Sequence, residues 1–412
     1  MPEAFKAGGD AYLVVAAADT PITLKNRADF TCDGSNTTGG DQDEINAAFA
    51  LSDAVVLCPG TFWIDGMIVM GSGQSLFGCG AASVLKFKDN IVPGVIPLNM
   101  IYNSDPVGGN DHITVKNVRL DGNRVNQLAG YDQYGIRFVG VGSGTGATAT
   151  PGCKIQCCFV ESFNRRSGIR LSYSNNNTVT GNSCQGNGAS GISLTGSSNN
   201  TVTGNICQGN GGYGIGLTGS SNTVTGNICQ GNGASGISLT GSSNNTVTGN
   251  ICQGNGGYGI GLTGSSNTVT GNICQGNGAS GISLSNSSNN NTVTGNICQG
   301  NGASGIFLYE ANNNTVTGNT ICSNGAYGID FRGLSDYNSI ENNYTSGNTS
   351  GCVNVTATCN NNVFTNNQFD EGDITDAGTN TRAWLNYDPS ANAFITAINP
   401  PAVIGGGGGT LP

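Results

Sequence analysis

Residues Gly188 to Asn232 read GASGISLTGSSNNTVTGNICQGNGGYGIGLTGSSNTVTGNICQGN, and Gly233 to Asn277 repeat those 45 residues without a change. A smaller unit of 22 or 23 residues lies inside, and its weaker form extends from about Thr178 to Asn324. Periods of this length mark solenoids, in which each repeat is one turn stacked on the next. The units are built of Gly, Asn, Ser, Thr and β-branched residues, a composition that excludes helical repeats. Short apolar alternations stand between turn clusters instead. One is Gly-Ile-x-Leu, at Gly191 to Leu194, Gly214 to Leu217 and Gly236 to Leu239; another is Thr-Val-Thr, at Thr201 to Thr203 and Thr223 to Thr225, followed by Asn-Ile-Cys-Gln ahead of an Asn-Gly turn. Three short strands per coil specify an all-β fold, a right-handed single-stranded parallel β-helix.

Strand parity sorts the side chains, because alternate residues face opposite sides of a sheet. Val202, Ile215 and Leu217 are expected to point inward with their repeats. Cys184, Cys207, Cys229, Cys252, Cys274 and Cys298 share one register; the next coil puts Ile321 there and displaces Cys322 by one. An Ile in that place marks the position as inward and apolar, so the cysteines read as a ladder of small buried hydrophobes. A metal or redox wire is the alternative, but no His or carboxylate interleaves to complete a metal site, and parallel Cβ vectors suit a disulfide poorly. We expect neither metal nor cofactor.

The 412 residues include 15 Cys and 15 Lys plus Arg, and carry a formal charge of −10. That balance argues against nucleic acid and anionic membrane as partners. No apolar, positively flanked segment opens the sequence and no run is long enough to span a bilayer, so the expectation is a chain without a signal peptide, made in a reducing cytoplasm and then associated with a virion or another surface. The Asn-x-Thr triplets then read as turn chemistry.

The expected organisation is an extension over 1–40, a solenoid over 41–365 that opens with a capping helix at 41–52, and a C-terminal cap or oligomerisation segment over 366–412. Asp41 reads as an N-cap with Glu44 three residues on, and Ile45, Ala48 and Phe49 form the apolar face of a helix lying across the open end of the stack. Val55–Leu57, Thr61–Ile64, Met67–Met70, Ser75–Phe77 and Val84–Phe87 read as short strands at coil-like spacing. Beyond about Asn362 the period is lost. Phe364, Phe369, Trp384, Leu385, Tyr387, Phe394 and Ile395 are expected to cap the last coil or knit subunits together, and Gly405 to Gly409 to form a flexible end or junction.

The run Gly40-Asp-Gln-Asp-Glu-Ile-Asn-Ala-Ala-Phe49, then Cys58-Pro-Gly-Thr-Phe-Trp-Ile64, then Ser75-Leu-Phe-Gly-Cys-Gly80 resembles the N-terminus of the pectate-lyase-like β-helix superfamily. The later coils resemble the parallel β-helix repeat. Met1 to Asp33, with Tyr12-Leu-Val-Val-Ala-Ala-Ala and Ala28-Asp-Phe-Thr-Cys-Asp33, is similar to β-helix proteins encoded by phages and prophages. The resemblance spans roughly residues 29 to 365 and implies fold more than function. Polygalacturonate hydrolases of the superfamily carry clustered aspartates with Gly-His-Gly and Arg-x-Lys. Here the only His is His112 and neither motif occurs, nor do the grouped carboxylates and base of the calcium-dependent lyases.

Between Leu171 and Tyr309 there is no Asp, Glu, Lys, Arg or His, so this stretch supplies no general acid or base. Charge gathers on the coils before it and just after it, the later set being Glu310, Asp330, Arg332, Asp336 and Glu341. Gly135-Ile-Arg-Phe138, Gly168-Ile-Arg-Leu171 and Gly328-Ile-Asp-Phe331 align with the Gly-Ile-x-Leu strand, which places Arg137 and Arg170 outward on neighbouring coils, about 5 Å apart. A loop from Val139 to Gly152 absorbs the extra length. Asp121, Asp132 and Glu161 are the available partners. One reading is a solvated salt-bridge cluster. The other is a groove for an acidic sugar, in which Arg137 and Arg170, with Arg119 near, grip carboxylates and Tyr131 or Tyr134 stacks on a ring. Asp121, Asp132 and Glu161 are the catalytic candidates if two carboxylates are suitably separated.

Two regular arrays complete the reading. Thr178 with Thr180, and the equivalent pairs through Thr315 with Thr317, make a two-column grid over seven coils that resembles those of ice-binding solenoids, although Thr is a favoured strand residue on any exposed face. Ile206, Ile228, Ile251, Ile273 and Ile297 give way to Ser183 and Thr320 in the flanking coils, which points to an outward apolar stripe unless strand parity shifts at the neighbouring bend. A homotrimer packed along that stripe is the preferred explanation. Three functions follow: a tailspike-like or other surface-displayed fibre that binds a glycan and attaches to a larger particle through its N-terminus; a polysaccharide lyase or glycoside hydrolase acting on an acidic polysaccharide; and a structural or ice-binding solenoid.

Overall fold

The computed structural model describes residues 12–34, 39–91, 98–128, 130–142, 152–370 and 374–388, with the backbone of 393–395. Met1 to Ala11, much of the 139–152 loop, the side chains of Phe394 and Ile395, and Gly405 to Gly409 lie outside the described residues. The chain divides into two compact units, residues 1–246 and 247–412.

In the first unit each regular coil has three strands, as at Thr201–Thr203, Ile206–Gln208 and Ile215–Thr218. Each pairs in parallel with its counterparts one coil away on either side: Thr201 with Thr178 and Thr223, Cys207 with Cys184 and Cys229, Ile215 with Ile192 and Ile237. Val202, Cys207, Ile215 and Leu217 are at most 2% exposed, so the parity drawn from the sequence is the parity of the core. All fifteen cysteines are thiols. Hydrogen bonding to Cys207, then burial, holds the Cys184 thiol well above its ordinary range and therefore protonated.

The bends between strands are built in one way. A left-handed residue, Asn199 (φ 57°), Gly204 (φ 63°) or Gly209 (φ 61°), turns the chain, and the next residue is a buried Asn: Asn200, Asn205 or Asn210. Asn205 shows what that Asn does. Its Oδ1 accepts the backbone N–H (2.9 Å) and Nδ2 (3.0 Å) of Asn182, while its Nδ2 donates to the Val179 carbonyl and to Asn227 Oδ1, each at 2.9 Å. Asn177, Asn200, Asn222 and Asn245 form a second such ladder, and Asn187, Asn210 and Asn232 a third. The ladders begin against the amides of Cys153, Cys158 and Phe163.

The first coils depart from the sequence expectation. Leu13–Ala16 pairs in parallel with both Phe30–Thr31 and Ala54–Leu57, so the stack already includes part of the supposed 1–40 extension; Val15 and Ala16 are wholly buried by it. Ser75–Phe87 is one strand with two register irregularities rather than two strands. The helix runs Gln42–Phe49 and buries Ile45, Ala48 and Phe49 against these strands, but Asp41 is no side-chain N-cap. Asp41 has helical backbone angles, and its buried carboxylate accepts the N–H of Trp63 (2.8 Å) and of Gly34 (3.4 Å) instead.

The second unit continues the pattern with Thr268–Thr270, Ile273–Gln275 and Ile282–Ser285 and their counterparts. Ile321 occupies the register of Cys298 and Cys274 and is wholly buried, while Cys322 stands beside Gln299. One Asn ladder runs through Asn250, Asn272, Asn296, Asn319, Asn343, Asn367 and Asn386. The regular period ends near Asn362, yet the parallel stack does not. Phe364 and Phe369 are wholly buried, and Arg382–Trp384 and Asn386–Asp388 still pair in parallel. Ala393–Ile395 then adds an antiparallel strand.

Replacing Asn205 by Ala strands the buried donors of Asn182, at about 1–3 kcal/mol for each unsatisfied group. Native-state hydrogen exchange at Asn182 and its neighbours should speed by at least tenfold, whereas Asn199→Gly, which keeps the left-handed bend, should leave it nearly unchanged; protected amides in the Ala variant would refute the ladder's role. Burial raises Asp41 from 3.8 to about 6 in the folded chain, against the two amide bonds that favour its ionised form. Between those values the folded chain holds a proton that the unfolded chain has lost, so stability falls as pH rises through this window and is flat above it. Denaturant midpoints measured from pH 4 to pH 7 should show a steeper fall for the native chain than for Asp41→Asn.

Candidate functional site

Alternation within Gln133–Val139 and Ile169–Ser172 buries Ile136, Phe138, Ile169 and Leu171 and turns Arg137 and Arg170 outward. The two arginines are register partners, with Tyr102 beside Arg137 on the preceding coil and Ser193 beside Arg170 on the next. Tyr134 organises the group from below. Its ring is 4% exposed and lies 5.4 Å from the Arg137 guanidinium, 5.6 Å from Arg170 and 5.9 Å from Arg166. Its hydroxyl accepts Arg170 Nη1 at 3.0 Å, and Arg170 Nε donates to Ser172 Oγ at 3.1 Å. Arg137 also stands 5.8 Å from the Tyr102 ring.

Asp132 is the carboxylate of this cluster. Arg166 Nη2 donates to it and Arg165 Nε lies 3.4 Å away, and this hydrogen bond raises the Arg166 pKa above its ordinary value. Arg137 makes no ion pair among the described residues, and its Nε is buried without a hydrogen-bond partner, as is that of Arg166. Arg165 and Arg166 share Asp132, while Arg137 and Arg170 meet no carboxylate among the described residues, which leaves the patch cationic on a chain of formal charge −10. Such a surface takes an anion.

The remaining candidates lie elsewhere. Arg119, Asp121 and Glu161 stand on the sheet formed by the first and second strands, whereas Arg137 and Arg170 stand on the sheet of third strands. Glu161 accepts Arg119 Nε at 2.6 Å; Asp121 pairs with Lys86 at 3.2 Å and accepts the Asn123 N–H at 2.8 Å. Each catalytic candidate is thus tied to its own cation, and Asp121 and Asp132 are not a facing pair. Tyr134 is too buried to offer a ring face; Tyr131 is half-buried just ahead of the strand. Tyr102 and Arg166 were missed by sequence reasoning. Tyr102 is the one position of Leu98–Asn103 that is not buried, in a stretch with no clean alternation to mark it as outward, while Arg166 lies in a bend that no strand pattern covers.

The Ile positions face outward in both units. Ile206 and Ile297 are each 40% exposed, and Ile228, Ile251 and Ile273 are half-buried beside inward cysteines. The Thr columns are in strict register as well. One group among the described residues, Cys32, Asp41 and Glu44, brings possible metal-ligating atoms within 4.8 Å of one another. Burial, then Asp41, holds the Cys32 thiol protonated, and both Asp41 oxygens are taken by backbone amides, a poor arrangement for a cation.

Residues 107–274 match the family described as right handed beta helix region, and residues 256–398 match that described as periplasmic copper-binding protein (NosD). The chain is a right-handed parallel β-helix. Among solved structures, this β-helix is similar to the A-module of mannuronan C-5 epimerase AlgE4 from Azotobacter vinelandii, with a TM-score of 0.67 and 22% identity over 75% of this chain and 91% of that one. It is also similar to the catalytic unit of a thermostable GH87 α-1,3-glucanase from Streptomyces thermodiastaticus, with a TM-score of 0.62 and 14% identity over 87% of this chain and 68% of that one. Tailspike protein 3 of bacteriophage CBA120 matches with a TM-score of 0.58 and 12% identity, over 89% of this chain and 62% of its own. At such identities the likeness is one of fold. No curated protein matches in sequence.

Tyr134→Leu removes three guanidinium–ring contacts of about 0.5–1 kcal/mol each and the acceptor of Arg170. Thermal unfolding should report a loss of about 2 kcal/mol, with Tyr134→Phe costing only about half of that; equal losses would mean that the hydroxyl alone organises the cluster.

Proposed function

We propose that this β-helix is a surface-displayed, tailspike-like fibre that binds an acidic glycan through the Arg137 and Arg170 face, with the uncharged coils as a chemically inert shaft. The observation that carries the reading is the cationic patch itself. Arg137, Arg166 and Arg170 are held in fixed positions around a buried tyrosine, on a chain otherwise poor in cations. An ion-pair network built only for stability would match charges, since surface pairs contribute little singly. The guanidiniums of Arg137 and Arg170, oriented but left without carboxylates, suit the acid groups of a polysaccharide. Neighbouring folds that include a tailspike, a mannuronan epimerase and a glucanase are consistent with a glycan as ligand.

The fibre works as a homotrimer packed through its outward isoleucines and attaches to a larger particle through its N-terminus. Exposed Ile206 and Ile297, with Phe159 40% exposed in the column of Ser183 and Ile206, support an apolar contact face. Lyase or hydrolase activity is the less favoured reading, because Asp121, Asp132 and Glu161 are each held by a cation. The Thr columns keep an ice-binding reading in play, with thermal hysteresis as its test. Copper binding has little support: residues 256–398 contain no His or Met, and the Cys274 thiol is held protonated by hydrogen bonds to Cys252 and Cys298 and by burial.

Arg137→Gln combined with Arg170→Gln should weaken binding of polygalacturonate at least tenfold in low salt and flatten its salt dependence, read by calorimetry against neutral dextran. Unchanged affinity sinks the assigned face. Light scattering should give the mass of a trimer that falls to a monomer when Ile228, Ile251 and Ile273 become Ser; a monomeric native chain removes the trimer.

A further inference from the structure

In the second unit the outward positions of the third strands carry other chemistry. Ser283, Phe307, Asp330 and Asn354 stand in one register column, and Tyr309 pairs with Arg332 in the next outward column. Phe307 and Asp330 occupy the repeat position that Arg137 and Arg170 hold in the first unit. Asp330 faces outward yet is only 2% exposed. Its Oδ1 accepts Asn354 Nδ2 at 2.7 Å, and its Oδ2 accepts Arg332 Nε at 3.1 Å and Ser304 Oγ at 3.3 Å.

Burying a carboxylate costs several kcal/mol, and an ion pair to a half-exposed arginine returns little of that. What the arrangement supplies is orientation. With Nε tied to Asp330 and its guanidinium 5.9 Å from the Phe307 ring, Arg332 has one defined plane, while its Nη groups donate to no group among the described residues and its side chain is 52% exposed. Glu310 makes no ion pair with it. Tyr309, 38% exposed, lies nearly parallel to Phe307, at 27° and 6.3 Å, on the strand next to Arg332. Tyr309 and Arg332 are register partners, so an exposed aromatic ring and an unused donor fork rise from strands about 5 Å apart. The apolar face of a pyranose fits the first, and a carboxylate or sulfate on the same ring fits the second.

We propose that Tyr309 and Arg332, positioned by Asp330, Phe307 and Asn354, form a separate subsite for one acidic pyranose residue. The proposal rests on the reading of the chain as a binder of acidic glycans, but on none of the residues that carry that reading. Calorimetry on the full chain, with short oligogalacturonate as the carboxylate probe, sulfated dextran fragments as the sulfate probe and neutral dextran as control, tests it. The native chain should bind two oligogalacturonates per chain, and one after Arg332→Gln or Tyr309→Ala. Arg137→Gln with Arg170→Gln should also leave one, now sensitive to Arg332→Lys, which keeps the charge and loses the fork. Asp330→Asn should weaken this second event about tenfold; if that variant fails to fold, Asn354→Ala is read in its place. Loss of both events on the Arg137 and Arg170 change, with no effect of Arg332→Gln, overturns the subsite and leaves the first face standing. Loss only on Arg332→Gln does the reverse. Equal binding of neutral dextran overturns the acidic ligand, and preference for the sulfated probe assigns a sulfate rather than a carboxylate.

Discussion

The hydrogen bonding of asparagine at the bends is the constraint on which the solenoid depends. A parallel stack of short strands must turn sharply three times per coil, and each turn leaves backbone groups buried where no strand partner reaches them. Asn answers with one side chain whose oxygen accepts from the preceding coil and whose amide group donates both to a carbonyl of that coil and to the asparagine oxygen of the next, as Asn205 does between Asn182, Val179 and Asn227. Because an unmet buried amide is costly, the Asn positions vary least and everything between them is free to vary more. The outward residue of a third strand can be Arg, Ser, Gly, Phe or Asp without altering the backbone, as Arg170, Ser193, Gly216, Phe307 and Asp330 illustrate.

That separation explains what the sequence disclosed. The period, the three strands, the inward Cys register with Ile321 in its place, and the outward pairing of Arg137 with Arg170 all follow from repetition and parity, and each is present in the structure. The Asn ladders were in plain view as Asn-Gly and Gly-Asn pairs, but turn propensity accounts for such pairs locally and hides their contact with residues 22 to 24 positions away. The first coils were less legible because insertions there break the period. Leu13–Ala16 finds its place only through partners at Phe30 and Ala54, and Asp41 exchanges a local cap for amides on two other segments.

The candidate sites were legible in part for the same reason. Column membership can be read from an alignment of coils, so Arg137 and Arg170 emerged together. Whatever holds a side chain in place comes from bends and neighbouring coils, so the roles of Tyr134, Arg166 and Asn354 did not. The sequence also merged groups that belong to different sheets: Asp121 and Glu161 are close to Arg137 along the chain but occupy the other face of the stack. In a solenoid, neighbours in function are those one period apart rather than those adjacent in sequence.

Identical coils carry a cost in folding that no contact in the finished stack reveals. A strand such as Thr223–Thr225 meets the same inward Val, the same Asn acceptors and the same flanking Gly on any regular coil, so stacking in which one whole coil is skipped satisfies nearly all its local interactions. Only the loop left out opposes the slip, and loop closure penalises length weakly. The unequal coils at the margins of the repeats therefore act as address labels. Cys153, Cys158 and Phe163, which present amides but no asparagine side chain at the bends, can stand only at a ladder's beginning. Folding that starts from those coils and proceeds one neighbour at a time counts the repeats correctly; folding that starts within them has nothing to count from.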